Sequence, residues 1–241
     1  MMDEGGVTRR GLLEAGGVAA GGALILGLPE VAGAAAASGR RIGSGPTDRR
    51  SIGLLMAVRQ IGPSLVGFGY LTRVRGLADA QLFTVPPALR STDARASDPS
   101  PARFTFYAEA KIESLAQLDE AITSNGGGRV RIYYQADGGA RFDDPATFGR
   151  GLLIATLTGN FQNDLTLTEP STAVVNMSAD LTQTGARRFT AAGAGGLRFG
   201  GPRYAWALNA TGRGRRTEPT EPRSELKLSG DLGVVDARPR R

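Results

Sequence analysis

The chain has no cysteine and no histidine. Disulfides and thiol chemistry are therefore excluded. A Ser-His-Asp triad, most zinc sites and imidazole acid–base work are excluded with the histidine. Lysine is nearly absent as well: of 29 cationic residues, all but Lys111 and Lys227 are arginine. Aromatic residues are only 6% of the chain. The apolar run at residues 15–28 is too short and too rich in glycine to cross a bilayer as a helix, so no membrane span is expected. Carboxylates, tyrosine and arginine remain to carry any chemistry, and no motif singles out a catalytic residue, a metal set or a cofactor.

What the chain does contain is alternation. Leu153, Ala155, Leu157, Gly159 and Phe161 fall on one side of an extended segment, with Ile154, Thr156, Thr158 and Asn160 on the other. After a turn at residues 169–172, Val175, Met177, Ala179 and Leu181 alternate with Asn176, Ser178 and Asp180. Period two with frequent β-branching predicts a long central hairpin over residues 151–183, turned by Pro170 and bent at Gly159-Asn160.

Further strands are predicted over residues 64–76, 77–85, 103–115, 129–135, 189–192, 203–211 and 223–236. Residues 51–63 read as a strand or one helical turn, and residues 116–122 as a short helix. The glycine-rich residues 125–128 and 193–201 read as turns, and residues 86–102 and 212–222 as surface loops. Asp143-Asp144-Pro145 reads as a turn or the capped start of a helical turn. About eight or nine short strands with turn residues between them predict an all-β fold, a single antiparallel β-barrel, with a β-sandwich as the alternative. The barrel is favoured because closure removes edges that few prolines or lysines guard here.

The first 38 residues are set apart from this pattern. Arg9-Arg10 precede Leu12-Leu13, a weakly apolar run follows, and small residues extend through Ala37. The segment resembles a twin-arginine export signal. That resemblance implies recognition of Arg9 and Arg10 by the twin-arginine machinery and removal of a leader spanning residues 1–38. It also implies a folded domain exported from a prokaryotic cell, secreted or envelope-associated. Residues 39–50 are expected to be a flexible linker, residues 51–236 the barrel and residues 237–241 a basic tail.

The formal net charge of +6 permits contact with anionic partners, but the arginines are scattered along the sequence and read as a solvated surface, with no nucleic-acid partner. Ser224-Glu225-Leu226-Lys227 spells a serine-lysine motif, yet on a strand those two residues take opposite faces. Asn176-Met177-Ser178 and Asn209-Ala210-Thr211 read as polar strand positions rather than sugar acceptors. Glu109, Asp143, Asp144, Asp164, Asp180 and Asp231 are the available acids and bases. Tyr70, Tyr133, Tyr134, Tyr204 and Trp206 are the candidate lining of a lumen, each offering apolar area with a polar tip.

By pattern alone, the region after the leader resembles small secreted barrels of the dirigent, allene-oxide-cyclase and lipocalin kind, and has the look of exported actinobacterial proteins. The resemblance implies a non-catalytic barrel that binds a small lipophilic ligand or an envelope partner. The alternatives are a carboxylate- and tyrosine-based isomerase or cyclase, and a structural or adhesive surface protein.

Overall fold

The alternation builds a wall that is dry inside and wet outside. The computed structural model describes residues 41–43, 52–85, 98–218 and 223–236, all within one compact unit, Ala37–Arg241. Among them are β1 (Arg41–Ile42), β2 (Ile52–Ile61), β3 (Ser64–Val74), β4 (Phe104–Leu118), β5 (Ala121–Tyr134), β6 (Leu152–Glu169), β7 (Thr172–Ala186), β8 (Arg188–Ala191), β9 (Ala194–Phe199), β10 (Ala205–Glu218) and β11 (Arg223–Asp236). Eight of these close into one barrel in the order β10-β11-β2-β3-β4-β5-β6-β7, every neighbouring pair antiparallel. The leader with Arg9 and Arg10, most of the linker, the first part of the 86–102 loop and the tail lie outside the described residues.

β7 shows the logic most plainly. Burial alternates along it, with Ala173, Val175, Met177, Ala179, Leu181 and Gln183 inside and Val174, Asn176, Ser178, Asp180 and Thr182 outside. In β6 the same pattern is reset by a bulge. Tyr133 pairs with Leu153 and Ile132 with Ala155, so Ile154 is the extra residue. The bulge reverses the parity expected there: Leu153 is left 39% exposed while Ala155 is buried. No helix among the described residues is long and apolar enough to cross a membrane.

Several local expectations are corrected, most of them by strand pairing. Residues 116–122 are the tip of the β4–β5 hairpin, turned at Asp119-Glu120, and not a helix. Residues 77–85 hold a short helix, α1 (Asp79–Leu82), and not a strand; the Gln81 Oε1 accepts from the Ala78 backbone N–H at 3.0 Å. Asn125-Gly126-Gly127-Gly128 is not a turn but the middle of β5, and residues 194–199 form β9. The loop expected from Gly212 continues as strand to Glu218. At Gly126, Gly128 and Gly212 glycine serves close backbone approach rather than turning, and the two uses look identical in a sequence.

The hairpin tips at residues 61–64, 118–121 and 169–172 share one end of the barrel with the last residue of β10 and the first of β11. At the other end the small sheet β1-β9-β8 covers the opening. Its inner residues interleave with barrel residues: the Phe199 ring stacks on Trp206 at 5.7 Å, and Phe189 meets Phe104 and Tyr134 at 5.9 and 5.5 Å. A second apolar layer lies outside the wall. There the segment after β5, with its short 3-10 turn (Pro145–Gly149), sets Phe142 and Phe148 against Phe68, 6.1 and 5.4 Å away. Buried hydrogen bonds pin that segment: the Gln135 Nε2 donates to Thr105 Oγ1 and to the Thr147 carbonyl, and Thr105 Oγ1 donates to the Phe148 carbonyl.

Candidate ligand cavity and barrel mouth

Two hollows lie along the barrel. The inner one has a volume of about 100 Å³ and is walled chiefly by apolar side chains, among them Met56, Leu71, Phe106, Ile132, Phe161 and Leu181. The outer one, about 350 Å³, opens at the hairpin end. Ile112, Leu115, Ile122, Leu165 and Leu167 form its apolar side, and Arg215, Arg216 and Arg223 stand on the opposite rim. Leu115 and Leu118, at the tip of the β4–β5 hairpin, are 60% and 76% exposed.

Asn163 lies at the boundary between the two hollows. It is inward-facing by strand parity, between Phe161 and Leu165, and only 3% exposed. Its strand partners are Met177, which lines the inner hollow, and Ser124, which lines the mouth. Its Oδ1 is buried without a hydrogen-bond partner. A buried amide oxygen left unpaired costs about 1–3 kcal/mol. Asn163→Leu is therefore expected to raise the stability of the empty protein by about 1 kcal/mol, read from the urea midpoint. A fall in stability would show that the amide is already satisfied.

The five aromatic residues singled out from sequence are placed elsewhere. Tyr70 is on the outer face of β3, buried under the loop layer and set edge-on to Phe83 at 6.5 Å. Tyr133 is half-buried on the outer wall, its hydroxyl near Gly149. Tyr134 packs under the end sheet, and its hydroxyl accepts from the Ala192 N–H at 3.3 Å. The Tyr204 hydroxyl accepts from Arg41 at 2.8 Å. Trp206 is buried against Phe199, and its indole N–H donates to Gln183 Oε1 at 3.2 Å. The inner hollow is instead lined chiefly by aliphatic residues and two phenylalanines, Phe106 and Phe161. The signal that could have found it is the set of small inward residues Gly67, Ala108 and Ala110, which leave space where larger side chains would fill it.

None of the six carboxylates considered from sequence is buried. Glu109 pairs with Arg131 at 2.7 Å, Asp231 with Arg73 at 3.0 Å, and Asp144 with Arg150 at 3.4 Å, all at the surface. The hydrogen bond that Arg131 donates to Glu109 holds the guanidinium above its ordinary pKa. Burial, then the charge of Glu109, pushes the Tyr107 phenol up against the opposing pull of Arg131, which keeps it protonated and a poor base. Tyr107 is on the outer wall with them. Among the described residues no group of three or more carboxylates is placed to hold a metal.

Ser224 faces the mouth and donates to Gln60 Oε1, while Lys227 lies outside, so the serine and lysine are on opposite faces. The two Asn-x-Ser/Thr triplets interlock on the outer wall. Asn176 stands opposite Thr211, and Ser178 opposite Asn209, all four exposed.

Fold and cavities together define a class: a closed up-and-down β-barrel, capped at one end, with an apolar hollow on its axis. No protein-family model matches the chain, and neither does any curated protein or solved structure.

Proposed function

We propose that the barrel binds a small hydrophobic molecule and does no chemistry on it. The observation that carries this reading is the inner hollow, lined mainly by aliphatic side chains, continued by a mouth with one apolar side, with the unpaired Asn163 Oδ1 buried between strand partners that line one and the other. The inner hollow, at about 100 Å³, is smaller than the cavity of about 150 Å³ that holds a benzene ring. It takes the end of a chain or ring, with the rest of the molecule in the mouth. Ligand groups of that kind gain from leaving water roughly in proportion to their apolar area. The outward placement of the carboxylates supports binding over an isomerase or cyclase that works by acid and base. Export through the twin-arginine machinery, read from Arg9 and Arg10, belongs to the same proposal and places the ligand outside the cytoplasm.

The test uses 1-octanol as probe and Gly67→Ala as variant. Gly67 lines the inner hollow, and a methyl group there would meet Ala108 Cβ at 3.4 Å and Met56 Cε at 3.6 Å, ordinary contacts. The variant is expected to be more stable by about 0.5 kcal/mol, since alanine restricts the unfolded chain more than glycine does. It is also expected to bind octanol at least fivefold more weakly, because the methyl group occupies ligand space. Saturable binding by titration calorimetry, weakened in the variant, supports the proposal. No saturable binding, or equal affinity in both proteins, overturns it. Native mass spectrometry of protein purified from its own host then identifies the natural occupant.

A further inference from the structure

The three strands of the end sheet place three arginines in one row. Arg41 of β1 is the register partner of Arg198 in β9, and Arg198 is also the partner of Arg188 in β8. Partners in a sheet share a face, with neighbouring strands roughly 5 Å apart. The opposite face is buried: Ile42, Phe189, Leu197 and Phe199 are each 5% exposed or less. The row therefore points away from the barrel on a backbone fixed by its own core.

Like charges directly opposite one another across strands are destabilising. The usual remedy is an interleaved carboxylate, and none stands among the described residues of this sheet. No ion pair among the described residues involves Arg41, Arg188 or Arg198. The Nε of Arg198, the middle member, is buried without an acceptor. Arg41 is held in place: its Nη1 donates to the Tyr204 hydroxyl at 2.8 Å, and its guanidinium carbon lies 5.9 Å from the centre of that ring. Three guanidinium groups carried on one face of a fixed backbone, with an unfilled donor on the middle one, match the charge and forked hydrogen bonding of a tetrahedral oxyanion.

We propose that Arg41, Arg188 and Arg198 form a site for a phosphate-class oxyanion, at the end of the barrel opposite the mouth. The site is independent of what the hollows bind. The group is a free phosphate or the phosphate of a lipid headgroup, and both present the same oxygens to the row.

The test follows the arginine Nε–Hε signals by NMR during titration with inorganic phosphate, with chloride at matched ionic strength as reference. Sedimentation with phosphatidylglycerol vesicles, against phosphatidylcholine vesicles, forms the second arm. Saturable shifts at the three arginines with phosphate identify a site for the free ion. Co-sedimentation with the anionic vesicles alone identifies the headgroup. Arg198→Gln is expected to weaken whichever binding is seen at least tenfold, and Arg213→Gln, on the distant outer wall, to leave it unchanged. Because relief of repulsion should make Arg198→Gln more thermostable without phosphate, loss of binding in that variant is not loss of fold. Absence of binding in both arms, or equal loss in the two variants, overturns the site.

Discussion

Gly159→Val is expected to cost about 3 kcal/mol or more, a large part of the stability of an ordinary domain. Gly159 faces inward on β6 opposite Leu181 of β7. A Cβ built there would run into the carbonyl oxygen of Asp180 and lie 2.9 Å from Leu181 Cα. Both obstacles are backbone atoms, so no rotamer change relieves them. The wall must open locally, which gives up a ladder hydrogen bond and tight packing together. Gly212 of β10 is placed in the same way against the carbonyl oxygen of Lys227, and Gly212→Ala is expected to follow. The control is Asn160→Val, one residue along and facing solvent, where a β-branched residue suits a strand and the change should be within about 0.5 kcal/mol. Urea unfolding followed by circular dichroism separates the cases. Equal midpoints for Gly159→Val and the wild type would mean that the barrel tolerates a side chain at its closest backbone approach.

The second large effect is expected at the capped end. Gln183 is 1% exposed and uses both ends of its amide. Its Nε2 donates to the carbonyls of Phe199 and Gly185 at 2.9 and 3.0 Å. Its Oε1 accepts from the Gly201 N–H at 3.1 Å and from the Trp206 indole at 3.2 Å. One side chain thus ties β7 to β9, β10 and the segment between them. Gln183→Leu keeps the approximate volume and strands several polar groups, for an expected loss of about 3–5 kcal/mol. Trp206 is the one tryptophan in the chain, so its fluorescence reports this end alone. A red shift at denaturant concentrations below global unfolding is expected, as the end sheet loosens before the barrel. Trp206→Phe keeps a ring on Phe199 and removes one of the four bonds, at about 1–2 kcal/mol for that bond. The double variant should lose less than the sum of the two, because the partners share one network. Strict additivity would show that the amide and the indole do not act together.

The sequence reading and the fold agree where pattern is local. The hairpin over residues 151–183 is seen because its alternation runs unbroken along β7 and is dense in β6. The strand at residues 223–236 is seen with the same bounds. Agreement fails where glycine stands at an inward position. Gly212 and Gly214 alternate with Arg213 and Arg215 as regularly as any strand, but glycine beside arginine reads as loop composition. The aromatic residues read as lining because large amphipathic rings suit a pocket. The fold spends Tyr70 on its outer layer, and Tyr134, Tyr204 and Trp206 at its cap, where rings can stack and their polar tips find partners.

Composition and alternation by themselves determine the chemical limits of this protein and its architecture. Without histidine or cysteine the site chemistry is confined, and a side chain that changes face at every residue can only build sheet. Tertiary structure alone decides which inward positions face one another across the barrel, which glycines mark close backbone contact, and that Arg41, Arg188 and Arg198 stand together. The reason is register. Each strand's own pattern is written locally, but its alignment against a neighbour is set by packing and bulges contributed by segments far along the chain.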